Sequence, residues 1–196
     1  MLTQVAVAHS MARFEIIALP LEGLKLVKRK PLADARGFLS RLFCGEEFGQ
    51  AGINLPIKQI NHTRTAKQGT VRGMHFQRPP YAEAKFVSCL VGSVFDVAVD
   101  LRVGSPTYLR WHGEVLSPEN QHSLHIPEGF AHGFQTLTED CELLYLHSAS
   151  YHPDAEGALN ALDPCLAIAW PLAIAERSDR DKNHPFVNHL FRGVSL

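Results

Sequence analysis

The stretch KFVSCLVGSVFDVAVDL, Lys85 to Leu101, is two runs of apolar and β-branched residues on either side of Val91-Gly92-Ser93. Short runs of that composition around a glycine turn read as neighbouring strands. Working outward, TYLRWHGEVLS alternates aromatic and polar residues after Gly104-Ser105-Pro106, and HSLHIP, GFQTL and CELLYLHSAS continue the series. Turn signals every ~8–12 residues predict an all-β sandwich or barrel. Helix is scarce: GEEFGQAG, Gly45 to Gly52, predicts one short helix, and the segment after Asp163 adds peripheral turns. At the start, FEIIALPLEGLKLVKRK is split by Pro20 and Gly23 and reads as edge strands. Long unpaired edges are a liability, which makes a dimer through this segment an expectation.

The chain has 196 residues, 45% hydrophobic and 20% charged, with net charge -1. It predicts a single domain, patterned over residues 14–185. The absence of a basic stripe argues against nucleic acid, and no apolar run approaches the roughly 18–20 residues that cross a bilayer. Cys44, Cys89, Cys141 and Cys165 form no CxxC pair, which fits a reducing compartment. The opening MLTQVAVAHSMARF lacks the basic and apolar regions of a secretion signal, and Met11 is an alternative start. The expectation is a cytoplasmic protein with no membrane or nucleic-acid partner.

Chemistry is concentrated in VRGMHFQ, Val71 to Gln77. Strand alternation puts Arg72 and Met74 on one face, Gly73 and His75 on the other. PEGFAHGF, Pro127 to Phe134, has the spacing Pro-x-Gly-x-x-His and resembles the second motif of cupins, small double-sheet barrels in which that histidine points inward. Metal-binding cupins also carry His-x-His, but Met74 and Phe76 flank a single His75. A thioether and a phenyl ring cannot replace hard-metal ligands, so a barrel is expected and a metal is not. Arg72, His75, Lys85 and His132 would meet inside such a barrel, and four cationic groups in one cavity call for an anion. By contrast, Tyr145 and Tyr151 are types that commonly pack in a core, and ERSDRDKNHP ordinarily reads as a solvated loop.

Taken together, ARGFLSRLF, KQINHTRTAKQGTVRGMHFQRPPYAEAKFV, GSVFDVAVDLRVGSPTYLRW, IPEGFAHGFQTL, LLYLHSASYHPDAEG, LDPCLAIAWP and SDRD resemble the dTDP-4-dehydrorhamnose 3,5-epimerase family, metal-free sugar-nucleotide epimerases of the cupin class. The resemblance implies an all-β, cupin-type double-stranded β-helix, a jelly-roll barrel with a few short peripheral helices. It also implies a homodimer with exchanged N-terminal strands, a nucleotide-sugar substrate and no cofactor. His75 matches the catalytic base, Asp181 its partner (Asp179 if the alignment slips by two), and Tyr145 the acid. Arg72, Lys85 and His132 match cavity cations. Gln59, Asn61, Arg36, Tyr151, Glu156 and Arg180 match positions that hold the nucleotide or its diphosphate.

Those roles make chemical sense. A C4 ketone acidifies the hydrogens on C3 and C5, and a histidine titrates near working pH. Lys85 suits the developing enolate, Arg72 a diphosphate. Gly73 is expected to let backbone and substrate approach closely. Arg72 faces away from His75 unless a bulge at Gly73 turns it, or unless it reaches the site from the rim or another subunit. Leu39, Arg41 and Ser88 depart from the common pattern and leave the nucleotide and sugar open. A single-site epimerase, a ketoisomerase, a non-catalytic sugar-nucleotide binder and a metal-dependent cupin remain as alternatives.

Overall fold

Alternating apolar residues cannot hide one face of a strand without a second sheet, and this chain supplies two. A computed structural model describes residues 12–196; the choice between Met1 and Met11 lies outside the described residues. One antiparallel sheet runs β1 (Phe14–Ala18), β2 (Lys25–Arg29), β10 (His122–Ile126), β7 (Lys85–Val91), β12 (Cys141–His147), β5 (Gln59–Thr65). The other runs β13 (Glu156–Ala158), β6 (Val71–Gln77), β11 (Phe130–Thr136), β8 (Val94–Asp100), β9 (Trp111–Leu116). A separate hairpin pairs β3 (Leu32–Asp34) with β4 (Gly37–Leu39). This is the jelly roll expected of the sequence, with β7 and β8 joined at Gly92 as the opening stretch predicts.

Side chains between the sheets, among them Val87, Cys89, Ala98, Leu124, Phe130 and Leu143, form the central core. Each outer face is also covered. The predicted short helix, α1 (Gly45–Gln50), packs Phe48 with Phe14, Val27 and Phe86 on the six-stranded sheet. The segment after Asp163 is more than peripheral turns. With Leu159 and Ala161 just before it, Leu166 and Val194 pack against Val71, Phe76 and Val99 and cover the other sheet. One expectation needs correcting: β1 is an edge, but β2 is internal, paired with β1 on one side and β10 on the other.

Asp100 ends β8 and gathers the following loop. Its fully buried carboxylate accepts from the Arg102 backbone N–H at 3.0 Å, Arg102 Nη2 at 2.8 Å, Ser105 Oγ at 2.5 Å and Thr107 Oγ1 at 2.6 Å. Burial alone would raise its pKa; the hydrogen bonds outweigh burial and hold it at about 2. A depressed carboxylate stabilises the fold above its unfolded pKa, about 3.9, and that contribution disappears as pH falls through the folded value. Asp100→Asn is therefore expected to cost about 2 kcal/mol at pH 7. In urea unfolding the gap between variant and wild type should shrink steadily as pH falls from 4 toward 2.

Candidate active site

Between the sheets lies a cavity of about 180 Å³ lined by Asn61, Thr63, Arg72, His75, Lys85, His132, Gly133, Phe134, Tyr145 and His147. Strand register explains its polarity. On the six-stranded side Lys85, His147 and Gln59 lie abreast on β7, β12 and β5; Val87, Tyr145 and Asn61 form the next inward-facing row, and Cys89, Leu143 and Thr63 the third. Residues two apart share a face, so polarity grades from a charged row to the apolar core.

The opposite wall is built on a bulge. His75 pairs with His132, yet Arg72 pairs with Phe134, so three steps along β6 match two along β11. The extra residue turns Arg72 into the cavity with His75, as a bulge does. Two glycines permit it. A Cβ on Gly73, whose φ is +129°, would lie 2.6 Å from the Gly133 Cα, and one on Gly133 would lie 2.7 Å from the Arg72 carbonyl oxygen. The neighbour that Gly73 admits is the β11 backbone, the close backbone approach expected of it.

Each of three histidines on the cavity has a carboxylate behind it. His75 Nε2 lies 2.8 Å from Asp181 Oδ1, His132 Nε2 2.8 Å from Asp96 Oδ1, and His147 Nδ1 2.8 Å from Glu83 Oε2. Glu83 also meets Lys85 Nζ at 3.2 Å, and Lys85 donates across the cavity to the His75 carbonyl at 3.3 Å. Burial works against the Glu83 charge, but Lys85 and His147 hold its pKa below the ordinary value. The picture of four unopposed cations is thus corrected. Arg72 is the cavity cation that lacks a carboxylate partner among the described residues; its Nη1 donates to Thr65 Oγ1 at 3.3 Å. Tyr145 is held in the protonated form, its pKa raised first by burial and then by the charge of Asp96.

Asp181 comes from ERSDRDKNHP, which forms a turn of helix, α2 (Asp179–Lys182), rather than a solvated loop. Ser178 Oγ accepts the Asp181 N–H at 3.0 Å, and Asn160 Nδ2 donates to the Lys182 carbonyl at 2.9 Å, fixing the turn against the barrel. Burial again opposes the charge, and His75 leads the partners that lower the Asp181 pKa. Asp179, the alternative, is exposed and pairs with Lys182. His184 Nε2 is 3.3 Å from the same Asp181 Oδ1, so His75, Asp181 and His184 have ligand-type atoms within 4.8 Å of one another. Of the two imidazoles, His75 hydrogen-bonds that oxygen, and among the described residues His184 Nε2 makes no hydrogen bond.

The rim gathers Tyr151, Glu156 and Arg180: the Tyr151 hydroxyl donates to Glu156 at 3.0 Å, and Arg180 pairs with the same carboxylate. Gln59 bridges rim and cavity, accepting the Tyr151 N–H at 3.0 Å and donating to Asn61 at 3.1 Å. Arg36 is the predicted site residue not brought in. It sits exposed on the β3–β4 hairpin, paired with Asp34. Of the departures, Leu39 is exposed on that hairpin, Arg41 is taken up by Glu47 at 2.8 Å, and Ser88 is buried against Ser123 at 2.7 Å, away from the cavity.

Comparison with known proteins fits this geometry. The family model described as dTDP-4-dehydrorhamnose 3,5-epimerase matches residues 18–189. The chain belongs to this family. A dTDP-4-dehydrorhamnose 3,5-epimerase of Sinorhizobium fredii is 40% identical over 169 residues, 86% of this chain and 87% of that one. A crystal structure of the Legionella pneumophila epimerase RmlC in complex with dTDP-4-keto-L-rhamnose superposes with TM-score 0.85 at 38% identity, covering 90% of this chain and 94% of that one. A dTDP-4-dehydrorhamnose 3-epimerase of Streptomyces niveus is 39% identical over 166 residues, 84% of this chain and 80% of that one.

Sequence reasoning missed Glu83, Asp96, Asn160 and His147. The last was within reach, since it shares a strand face with Tyr145 two residues earlier. Arg72→Gln is expected to weaken binding of inorganic pyrophosphate about tenfold or more, because a charge-assisted contact is worth ~1.5–3 kcal/mol. Calorimetry on both proteins measures it, and the melting temperature should not move.

Proposed function

We propose that the protein epimerises nucleotide-linked 4-keto-6-deoxyhexoses at C3 and C5, converting dTDP-4-dehydro-6-deoxyglucose to dTDP-4-dehydrorhamnose, with His75 as base and Tyr145 as acid. One observation carries this reading: His75 and Tyr145 rise from opposing sheets into one cavity. Inversion needs a proton taken from one face of the ring and another returned to the opposite face. His75 removes the proton, the electron pair moves onto the C4 oxygen, and Asp181 stabilises the imidazolium. Lys85 spends donors on Glu83 and the His75 carbonyl and keeps a third N–H for the enolate oxygen. Tyr145 then protonates the carbanion. Its raised pKa guarantees that it carries a proton, and an enolate is basic enough to take it. No electron enters or leaves, so the reaction calls for no redox cofactor.

At about 180 Å³ the cavity falls below the ~300–1,000 Å³ of sites that enclose a whole ligand. The sugar therefore enters, and the nucleotide lies across the rim on Gln59, Tyr151, Glu156 and Arg180, with Arg72 and His132 toward the diphosphate. A second reading, inversion at C3 alone, is favoured by the Streptomyces niveus relative's name. Proton NMR of dTDP-4-keto-6-deoxyglucose in deuterated buffer separates them. Wild type should lose both the C3 and C5 signals, and His75→Asn should slow both by about 10²-fold or more. Tyr145→Phe should still exchange protons but return no inverted product. Wild-type-like exchange by His75→Asn would remove the base from this scheme, and loss at C3 alone would establish the single-site reaction.

The β3–β4 hairpin exposes Leu32, Phe38, Leu39 and Arg36 outside both sheets. In a homodimer it would bring Arg36 to a second copy's rim, while β1 and β2 pair within their own chain. Light scattering during gel filtration should report a dimer, and Phe38→Asp should shift it to a monomer. The four cysteines are free, in keeping with a cytoplasmic enzyme.

A further inference from the structure

A chain of hydrogen bonds runs from the rim to the Glu83 carboxylate, and both of its ends are chemically unambiguous. At one end the Tyr151 backbone N–H can only donate, and it meets Gln59 Oε1 at 3.0 Å. That fixes the Gln59 amide: its Nε2 donates to Asn61 Oδ1 at 3.1 Å. Asn61 is fixed in turn, and its Nδ2 donates to His147 Nε2 at 3.4 Å. At the other end the Glu83 carboxylate, kept ionised beside Lys85, can only accept, so His147 carries its proton on Nδ1 and donates it at 2.8 Å. The two directions agree only when His147 is the Nδ1–H tautomer with a bare Nε2. The register puts His147 directly between Gln59 and Lys85 on the paired strands.

The consequence lies with Asn61, which lines the cavity. With its oxygen turned toward Gln59 and one N–H toward His147, Asn61 keeps its second N–H as a free donor. Without an acceptor at the His147 Nε2 position the amide is free to turn and present its oxygen to an oxygen-rich anion. We propose that Glu83 and His147 are a positioning pair that locks Asn61 and Gln59 as donors toward the diphosphate and sugar oxygens, so that they govern binding rather than proton transfer. The substrate class rests on the function proposed above; the direction of the hydrogen-bond chain does not.

Two substitutions separate this from simple packing. His147→Asn keeps an N–H near the Nδ1 position for Glu83 but leaves no acceptor for Asn61. His147→Gln places an amide oxygen near the Nε2 position. With dTDP-4-keto-6-deoxyglucose, the Asn variant is expected to raise KM about tenfold or more while kcat stays within about twofold; the Gln variant should return KM to within about threefold of wild type. Calorimetry with dTDP alone should show the same order of Kd values. Unchanged KM and Kd in His147→Asn, equal losses in both variants, or a fall in kcat with KM unchanged would each overturn the proposal. A wild type that binds dTDP but exchanges no ring proton would sink the epimerase reading alone, and the ranking of Kd values would still decide the role of His147.

Discussion

Two α-carbons without side chains, Gly73 and Gly133, set the geometry on which the site depends. Their close approach lets β6 carry one more residue than β11 between the paired positions. A regular strand would send Arg72 and His75 to opposite faces. With the bulge, the guanidinium and imidazole enter the same cavity, and the backbone N–H of Gly73 also turns toward Asp181 at 3.3 Å. The His75 imidazole, its acidic partner and the Arg72 guanidinium therefore meet through one irregularity in one strand.

Electrostatics then decides what the cavity is complementary to. A histidine or lysine in a buried wall is costly unless its charge is met. Here Asp181, Asp96 and Glu83 meet His75, His132, and His147 with Lys85. These pairs hold orientation and tautomer. Arg72 adds a positive charge with no carboxylate partner among the described residues, and it is exposed at the opening. Rings are thus positioned by acids, whereas the Arg72 guanidinium has no such partner among the described residues.

Much of this was legible in the sequence. The apolar, β-branched runs of KFVSCLVGSVFDVAVDL and the turn signals after it marked the strand series, because short runs of that composition between turns suit buried strands. The clash between strand alternation and a shared role for Arg72 and His75 left a bulge at Gly73 as one of three resolutions, beside approach from the rim or from another subunit. What escaped notice was long-range or aperiodic. Asp96 sits within an apolar run, and Glu83 in a loop just ahead of β7. Neither has a local pattern that names its partner, His132 or His147. The segment beyond Asp163 has no regular spacing, so its role as the cover of the five-stranded sheet could not be counted out in heptads or pairs. The resemblance placed Arg36 with the nucleotide, yet within one chain the hairpin carries it outside the barrel.

The Asn160 clasp on α2 bears on how the protein is made. His75 lies on a central strand, but the carboxylate that orients it is contributed 106 residues later, by a turn pinned through Asn160 onto the finished barrel. Contacts so distant in sequence form late, after the loop between them has closed. On the ribosome the barrel strands emerge first and the acid well after them. A nascent chain would therefore hold its imidazole without a counterpart until that later turn is laid down on the barrel.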